Sequence, residues 1–264
     1  MSTERPYRDS VLLALRGWCA RHILDFPCGS GWLAEESDEG MTIDGIDLFA
    51  SRPPGYARFA RADMNYGIPA DFLPSAATDQ AVTPAQDGKE NRNSRKSNDP
   101  SHSKWLGYDA IVSCEAIAYL LNPGIFFQSA HQALAPGGRL ILTTPNAGFA
   151  ASRLVFLLRG FFLGHRAMPG IQKKKEHMPL IAWNYPTLHH FLSLSGFAEI
   201  SLHPLDERTP KHLSEYLIGW TQSLYCRQAI RQNATCATAT SYWLNFCSRQ
   251  ANYGRRLVVS ARKG

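Results

Sequence analysis

The feature that most constrains this chain is a strand that runs directly into a glycine turn and then into a helix. An apolar run at residues 22–26 stops at Pro27–Gly31, and a helical pattern begins at Trp32. Glycine permits a tight turn and lets a ligand approach the backbone closely, and the start of the helix offers free N–H groups and the positive end of a dipole. The turn therefore predicts a ligand site at the carboxyl end of the first strand.

Strands and helices alternate along the rest of the chain. Helices are predicted at 122–134 and 186–195, and strands at 22–26, 41–47, 57–63, 108–114, 139–144, 197–203 and 255–261. Alternation at this pitch is typical of a mostly parallel sheet with both faces covered. We expect the α/β class, with a doubly wound, mostly parallel seven-stranded sheet, helices on both faces and helical insertions.

We interpret the 264 residues as one domain spanning 1–264. Residues 74–104 contain one valine and no Leu, Ile, Phe, Tyr or Trp, so they cannot bury enough apolar surface to fold and are predicted to be a disordered polar insertion. Residues 145–186 follow the fifth strand and are expected to cap the side where an acceptor would bind. Residues 204–254 are helical in pattern and are predicted to form an insertion before the last strand.

Charge and cysteine content narrow the class of protein. The net charge is +6, which permits an anionic partner but is too weak and too scattered for us to expect nucleic acid. The six cysteines form no C-x-x-C pair, so we expect neither a disulfide framework nor a metal site. Reduced thiols and the lack of a secretory signal or spanning segment predict a cytoplasmic protein.

Acidic residues at the strand ends distinguish between two kinds of cofactor. Gly29–Ala34 formally matches the dinucleotide fingerprint G-x-G-x-x-G/A, which would indicate a nicotinamide oxidoreductase. Asp25, however, stands four residues before the first glycine, where it suits the ammonium and sulfonium charges of S-adenosylmethionine. Asp47 can accept hydrogen bonds from ribose hydroxyls, and Asp63 can accept one from an exocyclic amine.

The segment Ile23–Gly31 resembles the first motif of class I S-adenosylmethionine-dependent methyltransferases, D-x-x-C-G-x-G. Residues 45–47, 61–64 and 108–115 are similar to later landmarks of that family, residues 134–146 to its fifth-strand signature, and residues 194–197 to its late Gly-Phe. The resemblance implies S-adenosylmethionine as cofactor. The cofactor-binding residues that it implies are Asp25, Pro27, Cys28, Gly29, Ser30, Gly31, Asp47, Leu48, Asp63, Met64, Cys114 and Glu115.

Within that set the resemblance implies a division of labour. Asp25 and the two glycines would hold the methionine end, Asp47 the ribose, and Asp63 and Met64 the adenine, while Cys114 and Glu115 would line the pocket beside the sulfonium. The sequence departs from the family pattern in two places. Pro27 replaces a frequent glycine, and Ala118-Tyr119 replaces the end of an E-x-x-E-H stretch, which favours a mechanism without a metal.

The acceptor is predicted to be an oxygen atom of a small molecule, a glycan or a lipid-linked intermediate. No N-P-P-Tyr or D-P-P-Tyr follows the fourth strand, so exocyclic amines are poor candidates. An oxygen acceptor must lose a proton near neutral pH, and His177 is the candidate catalytic base. Lys173–Lys175 could meet an anionic acceptor or form a solvated run, and the Phe- and Leu-rich stretch 150–164 could be a lid, a core helix or a peripheral membrane contact.

Other functions remain open from sequence. The chain could be a non-catalytic domain that binds S-adenosylmethionine or adenosine for recognition or assembly. An RNA methylase is a further alternative, but the sequence shows no added RNA-binding module and no interleaving of aromatic and basic residues. The sequence indicates no oligomeric state.

Overall fold

The computed structural model describes residues 6–74, 105–165, 179–206, 210 and 212–264. The predicted insertion lies outside these residues except for Pro74, and so do Lys173–Lys175 and His177. Within the described residues no helix has the length and apolar character needed to cross a membrane.

Seven strands form one sheet. They are β1 (His22–Asp25), β2 (Thr42–Asp47), β3 (Phe59–Arg61), β4 (Tyr108–Cys114), β5 (Leu134–Pro145), β6 (Phe197–His203) and β7 (Arg256–Lys263). Their order across the sheet is β3-β2-β1-β4-β5-β7-β6. The predicted seven-stranded α/β fold is confirmed, but the sheet is mixed, because β7 runs antiparallel to both β5 and β6.

The described helices are α1 (Tyr7–Gly17), α2 (Trp32–Glu36), α3 (Pro123–Ala133), α4 (Ala150–Arg159), α5 (Tyr185–Leu194), α6 (Leu213–Gln232), α7 (Ala237–Phe246) and α8 (Arg249–Tyr253). Side chains alternate between the two faces of a strand. In β1, Ile23 therefore packs in one buried cluster together with residues of α1 and α2, and Leu24 packs in another together with residues of α3 and α5. Helices thus cover both faces.

Strands β3 and β5 depart most from their predicted bounds. Strand β3 covers Phe59–Arg61 instead of 57–63. Strand β5 begins at Leu134 instead of residue 139, so Pro136-Gly137-Gly138, which follows the predicted helix, lies within the strand, with Gly137 at a φ of +76°. A register shift against β4 accommodates the extra residues, since Tyr108 pairs with Leu134 but Ala110 pairs with Arg139.

Candidate functional site

The glycine loop after β1 is held between the neighbouring strands. The backbone N–H of Phe26 donates to Val112 O at 2.9 Å, and that of Cys28 donates to Ile46 O at 3.0 Å. Gly29 and Gly31 have φ of +52° and +88°. A Cβ on Gly31 would lie 2.6 Å from Pro53 Cβ, whereas a Cβ on Gly29 would meet no atom within 4 Å. The loop is therefore closely packed on its inner side at Gly31 and open above Gly29.

Asp25 lies beneath this loop and not on its surface. Its side chain is fully buried; Oδ2 accepts a hydrogen bond from Tyr56 Oη at 2.6 Å, and Oδ1 has no hydrogen-bond partner among the described residues. Burial raises the pKa of Asp25 to about 7, against the opposing effect of the Tyr56 hydrogen bond, and the charge of Asp47 raises this pKa further. The contact of Asp25 with a ligand stays a prediction, and its unpaired oxygen is a hydrogen-bond acceptor close to the loop.

Asp47 joins the end of β2 to the glycine loop. Its Oδ2 accepts the N–H of Gly29 at 2.9 Å, and its Oδ1 accepts the N–H groups of Phe49 and Ala50 at 2.8 Å. A carboxylate oxygen offers about two lone-pair sites, so Oδ2 can accept one further hydrogen bond and a hydroxyl donor is compatible with these contacts. Leu48 is at the surface and its carbonyl accepts Arg61 Nε at 2.7 Å.

Asp63 and Met64 follow β3 at the same edge of the sheet. Asp63 Oδ1 accepts both the backbone N–H and the side-chain amide of Asn65, at 2.9 and 3.0 Å. Met64 is buried. The two residues lie at the start of a short 3₁₀ turn, at the end of the strand that pairs with β2.

A cavity of about 330 Å³ opens at the carboxyl ends of β1 and β4. It is lined by Tyr7, Pro27, Cys28, Gly29, Ser30, Trp32, Cys114, Glu115 and Arg256. The structure thus brings together the predicted residues of the loop and of the end of β4. Gly31, Asp25, Asp47, Leu48, Asp63 and Met64 do not line this cavity.

Three lining residues were missed from sequence: Tyr7, Trp32 and Arg256. Trp32 immediately follows the glycine loop, so its place in the sequence was the one available signal. Tyr7 belongs to α1 and Arg256 to β7, and only the folded chain brings them together, with the Arg256 guanidinium 5.8 Å from the centre of the Tyr7 ring.

Glu115 occupies a fixed position in the wall of the cavity. Its backbone N–H donates to Thr143 O and Oγ1, both at 3.0 Å, and the Thr143 hydroxyl donates to Glu115 Oε1 at 3.1 Å. Its other oxygen lies 3.5 Å from Arg256 Nε. The φ of +56° is unusual for a residue other than glycine, and these contacts hold the carboxylate at the cavity.

Both thiols of the cavity are neutral near pH 7. Burial raises the pKa of Cys28 to about 12, and the charges of Asp25 and Asp47 act in the same direction. Burial and then the charge of Asp25 raise the pKa of Cys114 well above its usual value. The carboxylates of Asp25 and Asp47 add negative charge beside the loop, which favours a cationic group of a ligand there. The described residues contain no cluster of three metal-ligating side chains.

A second cavity, of about 570 Å³, lies at the opposite edge of the sheet. Its walls include Arg21, which precedes β1, Asp109 near the start of β4, and Arg139 of β5. Ligands of open α/β sheets bind at the carboxyl ends of the strands, so the smaller cavity beside the glycine loop is the candidate site.

Comparison with known proteins gives one match by family model and several by structure. The model of a family described as a methyltransferase domain matches residues 4–200. No curated protein matches the chain. An S-adenosylmethionine-dependent methyltransferase from Mesorhizobium loti aligns with 95% of this chain and 96% of its own, at 18% identity and a TM-score of 0.42.

Two further solved structures show the same level of similarity. A SAM-dependent methyltransferase from Archaeoglobus fulgidus aligns with 97% of this chain and 94% of its own, at 15% identity and a TM-score of 0.44. Phosphoethanolamine N-methyltransferase 2 of Haemonchus contortus aligns with 97% of this chain at 14% identity and a TM-score of 0.44. This chain covers 52% of the Haemonchus protein, about half its length.

Proposed function

Because this chain belongs to the methyltransferase-domain family, whose model matches residues 4–200, we propose that it methylates an oxygen atom of a small molecule, a glycan or a lipid-linked intermediate. Its cofactor is S-adenosylmethionine. When bound, this cofactor supplies a methyl group on a positively charged sulfur, a good leaving group. The protein then has chiefly to position the acceptor and to receive its proton.

The described residues fit this cofactor. The space above Gly29 is open to a ligand, and the unpaired oxygen of Asp25 supplies a buried acceptor beneath the loop. Asp47 Oδ2 can accept one further hydrogen bond from a hydroxyl group at the end of β2. The guanidinium of Arg256 lines the same cavity and suits a carboxylate. An amino acid that carries both charges can therefore be held between the loop and β7.

The carboxylate of Glu115 is the observation that carries the proposal of an oxygen acceptor. It faces the cavity beside the glycine loop, where Thr143 and Arg256 orient it. The thiols of Cys28 and Cys114 are protonated and cannot take a proton from an acceptor. We assign Glu115 the role of accepting the hydrogen bond, and then the proton, of the acceptor hydroxyl as its oxygen bonds to the methyl carbon.

His177 stays a prediction as an alternative base, since it lies outside the described residues. The two assignments are separated by paired variants, Glu115→Gln and His177→Ala, measured as single-turnover rates at saturating cofactor. The base is the residue whose variant no longer shows an increase of the single-turnover rate with pH. S-adenosylhomocysteine must still bind to that variant. If both variants keep wild-type rates, neither residue takes the proton.

The proposed function is tested in two stages. Calorimetry should show saturable heat with S-adenosylmethionine and S-adenosylhomocysteine, and NAD should give no thermal shift. Transfer of a labelled methyl group is then measured over a panel of alcohols, phenols, sugars and amines. Methyl ethers as products would support the proposal, whereas N-methyl products would refute the oxygen acceptor. Binding without transfer to any acceptor would instead favour a non-catalytic binding domain.

A further inference from the structure

Helix α6 buries small and polar side chains and exposes large apolar ones, which is the reverse of an ordinary surface helix. Its buried positions are Glu215, Gly219, Gln222, Cys226 and Ala229. Its exposed stripe is Leu213, Leu217, Trp220 and Leu224, at the spacing i, i+4, i+7 and i+11. Leu217 and Trp220 are 62% and 60% exposed. We call these four side chains the apolar stripe.

Packing fixes this orientation. A Cβ on Gly219 would lie 2.1 Å from the hydroxyl of Tyr253, so α6 contacts α8 directly at that glycine. Gln222 Nε2 donates to Phe246 O at 3.0 Å, and Asn252 Nδ2 donates to Gly219 O at 2.9 Å. Because these contacts need the small and polar side of the helix, α6 cannot rotate to bury its leucines.

Helix α4 packs against α6 and also ends in exposed leucines. Leu157 and Leu158 are both exposed, and they precede the exposed Arg159. Large apolar side chains that lie close together on a protein surface mark a site of interaction with a partner or a membrane. Helix α4, which contacts α6, thus also presents large apolar side chains to solvent.

Charge distinguishes the possible occupants. Helices α4, α6, α7 and α8 carry the exposed arginines 159, 227, 231 and 249, and their one acid, Glu215, is buried. Arg227 and Arg231 lie 14 and 18 residues after Leu213, so they continue the apolar stripe along the same side of α6. A second copy of the chain would bring its own arginines to the interface, and these helices offer no exposed acid to pair with them. An anionic surface is complementary to them.

We propose that the apolar stripe docks on the surface of a membrane that contains anionic lipids. An interfacial helix places Leu and Trp in the headgroup and acyl boundary and basic residues at the phosphates, which is the composition of this stripe. Helix α8, which contacts α6 at Gly219, ends three residues before Arg256 of the cavity. Asn146, which follows β5, donates to the carbonyls of Ala251 and Gly254, and Arg256 of the cavity is two residues after Gly254. Docking is independent of methyl transfer.

The test is co-sedimentation of the full chain with vesicles. Phosphatidylcholine vesicles are compared with vesicles that contain about one third phosphatidylserine, at low and at physiological salt. We expect the wild type to bind the anionic vesicles and to lose about tenfold or more of its partition coefficient in the double variant Leu217→Ser/Trp220→Ser. The matched control Leu194→Ser removes a comparably exposed leucine from α5 and should bind like the wild type.

A charge variant provides a second measure. Arg227→Gln/Arg231→Gln should lose about tenfold or more of its binding to anionic vesicles and little of its binding to neutral ones. Unchanged melting temperatures and S-adenosylhomocysteine affinity show that each variant is folded. The proposal is overturned if the wild type binds neither vesicle, or if the Leu217→Ser/Trp220→Ser variant binds as the wild type does. It is also overturned if light scattering shows a dimer that this variant dissociates, because a second copy then covers the stripe.

Discussion

Replacing Asp25 by asparagine should make the free protein more stable above neutral pH and a weaker binder of its cofactor. Asp25 is fully buried with one oxygen unpaired, and burial raises its pKa from 3.8 to about 7. Its ionised form is therefore unfavourable in the fold. A cation above the loop favours that same form, so the charge that weakens the free protein strengthens cofactor binding.

The size of the effect follows from the pKa. A group with a raised folded pKa contributes stability that is present below its unfolded pKa and is lost as pH rises through its folded pKa. A shift of about three units corresponds to about 4 kcal/mol, lost between about pH 4 and pH 7. The asparagine side chain of the Asp25→Asn variant cannot ionise, but its amide adds a donor that has to be satisfied. We expect the variant to exceed the wild type by roughly 1–3 kcal/mol at about pH 8 and to match it near pH 5.

Urea unfolding at several pH values measures the stability of the Asp25→Asn variant, and calorimetry measures its affinity for the cofactor. Cofactor affinity of the wild type should rise as pH increases toward 7.5, and the variant should bind about tenfold or more weakly there without that rise. Cofactor affinity is compared only below about pH 8, because the α-amino group of the cofactor itself titrates there. Asp109→Asn is the matched control, because Asp109 accepts the N–H groups of Arg21 and His22 at the opposite edge of the sheet. A variant with the same pH dependence of stability as the wild type would refute the reasoning.

Two further predictions concern the loop and the base. Gly31→Ala should lose at least about 2 kcal/mol of unfolding free energy in urea titrations, because the residue has a φ of +88° and its Cβ would overlap Pro53. Gly17→Ala, at the end of α1 and with open space around its Cβ, should change stability by less than about 1 kcal/mol in either direction. Glu115→Gln should lower the single-turnover rate about 100-fold while S-adenosylhomocysteine affinity stays within about threefold. A wild-type rate in this variant would show that another group, such as His177, takes the proton.

The parts of the structure that depend on residues adjacent in the sequence could be predicted. Strand β4 has the predicted bounds, and the loop at Gly29 and Gly31 is where its glycines indicated. The hydrogen-bonded contacts of Asp47 and the burial of Asp25 could not be predicted, because they depend on how β1 and β2 meet. Placing a residue at a strand end identifies the edge of the sheet at which it lies. It does not reveal which hydrogen bonds the side chain already makes within the protein.

The residues that line the cavity could not all be predicted either, because some of them lie far apart in the sequence. Tyr7 and Arg256 are separated by nearly the whole chain, and no local pattern links them. The orientation of α6 was equally hidden, because a helical pattern in sequence normally places leucines inward. Here close packing at Gly219 decides the orientation, and that contact exists only once α8 is in place.

The antiparallel direction of β7 explains how these distant residues reach the site. Parallel strands present their carboxyl ends at the ligand edge, but β7 pairs antiparallel with β5, so Arg256, its first residue, lies opposite Pro145 at that edge. Helix α8, which directly precedes β7, therefore lies near the same edge of the sheet. Helix α6 contacts α8 at Gly219. The start of β7 thus supplies Arg256 to the cavity wall.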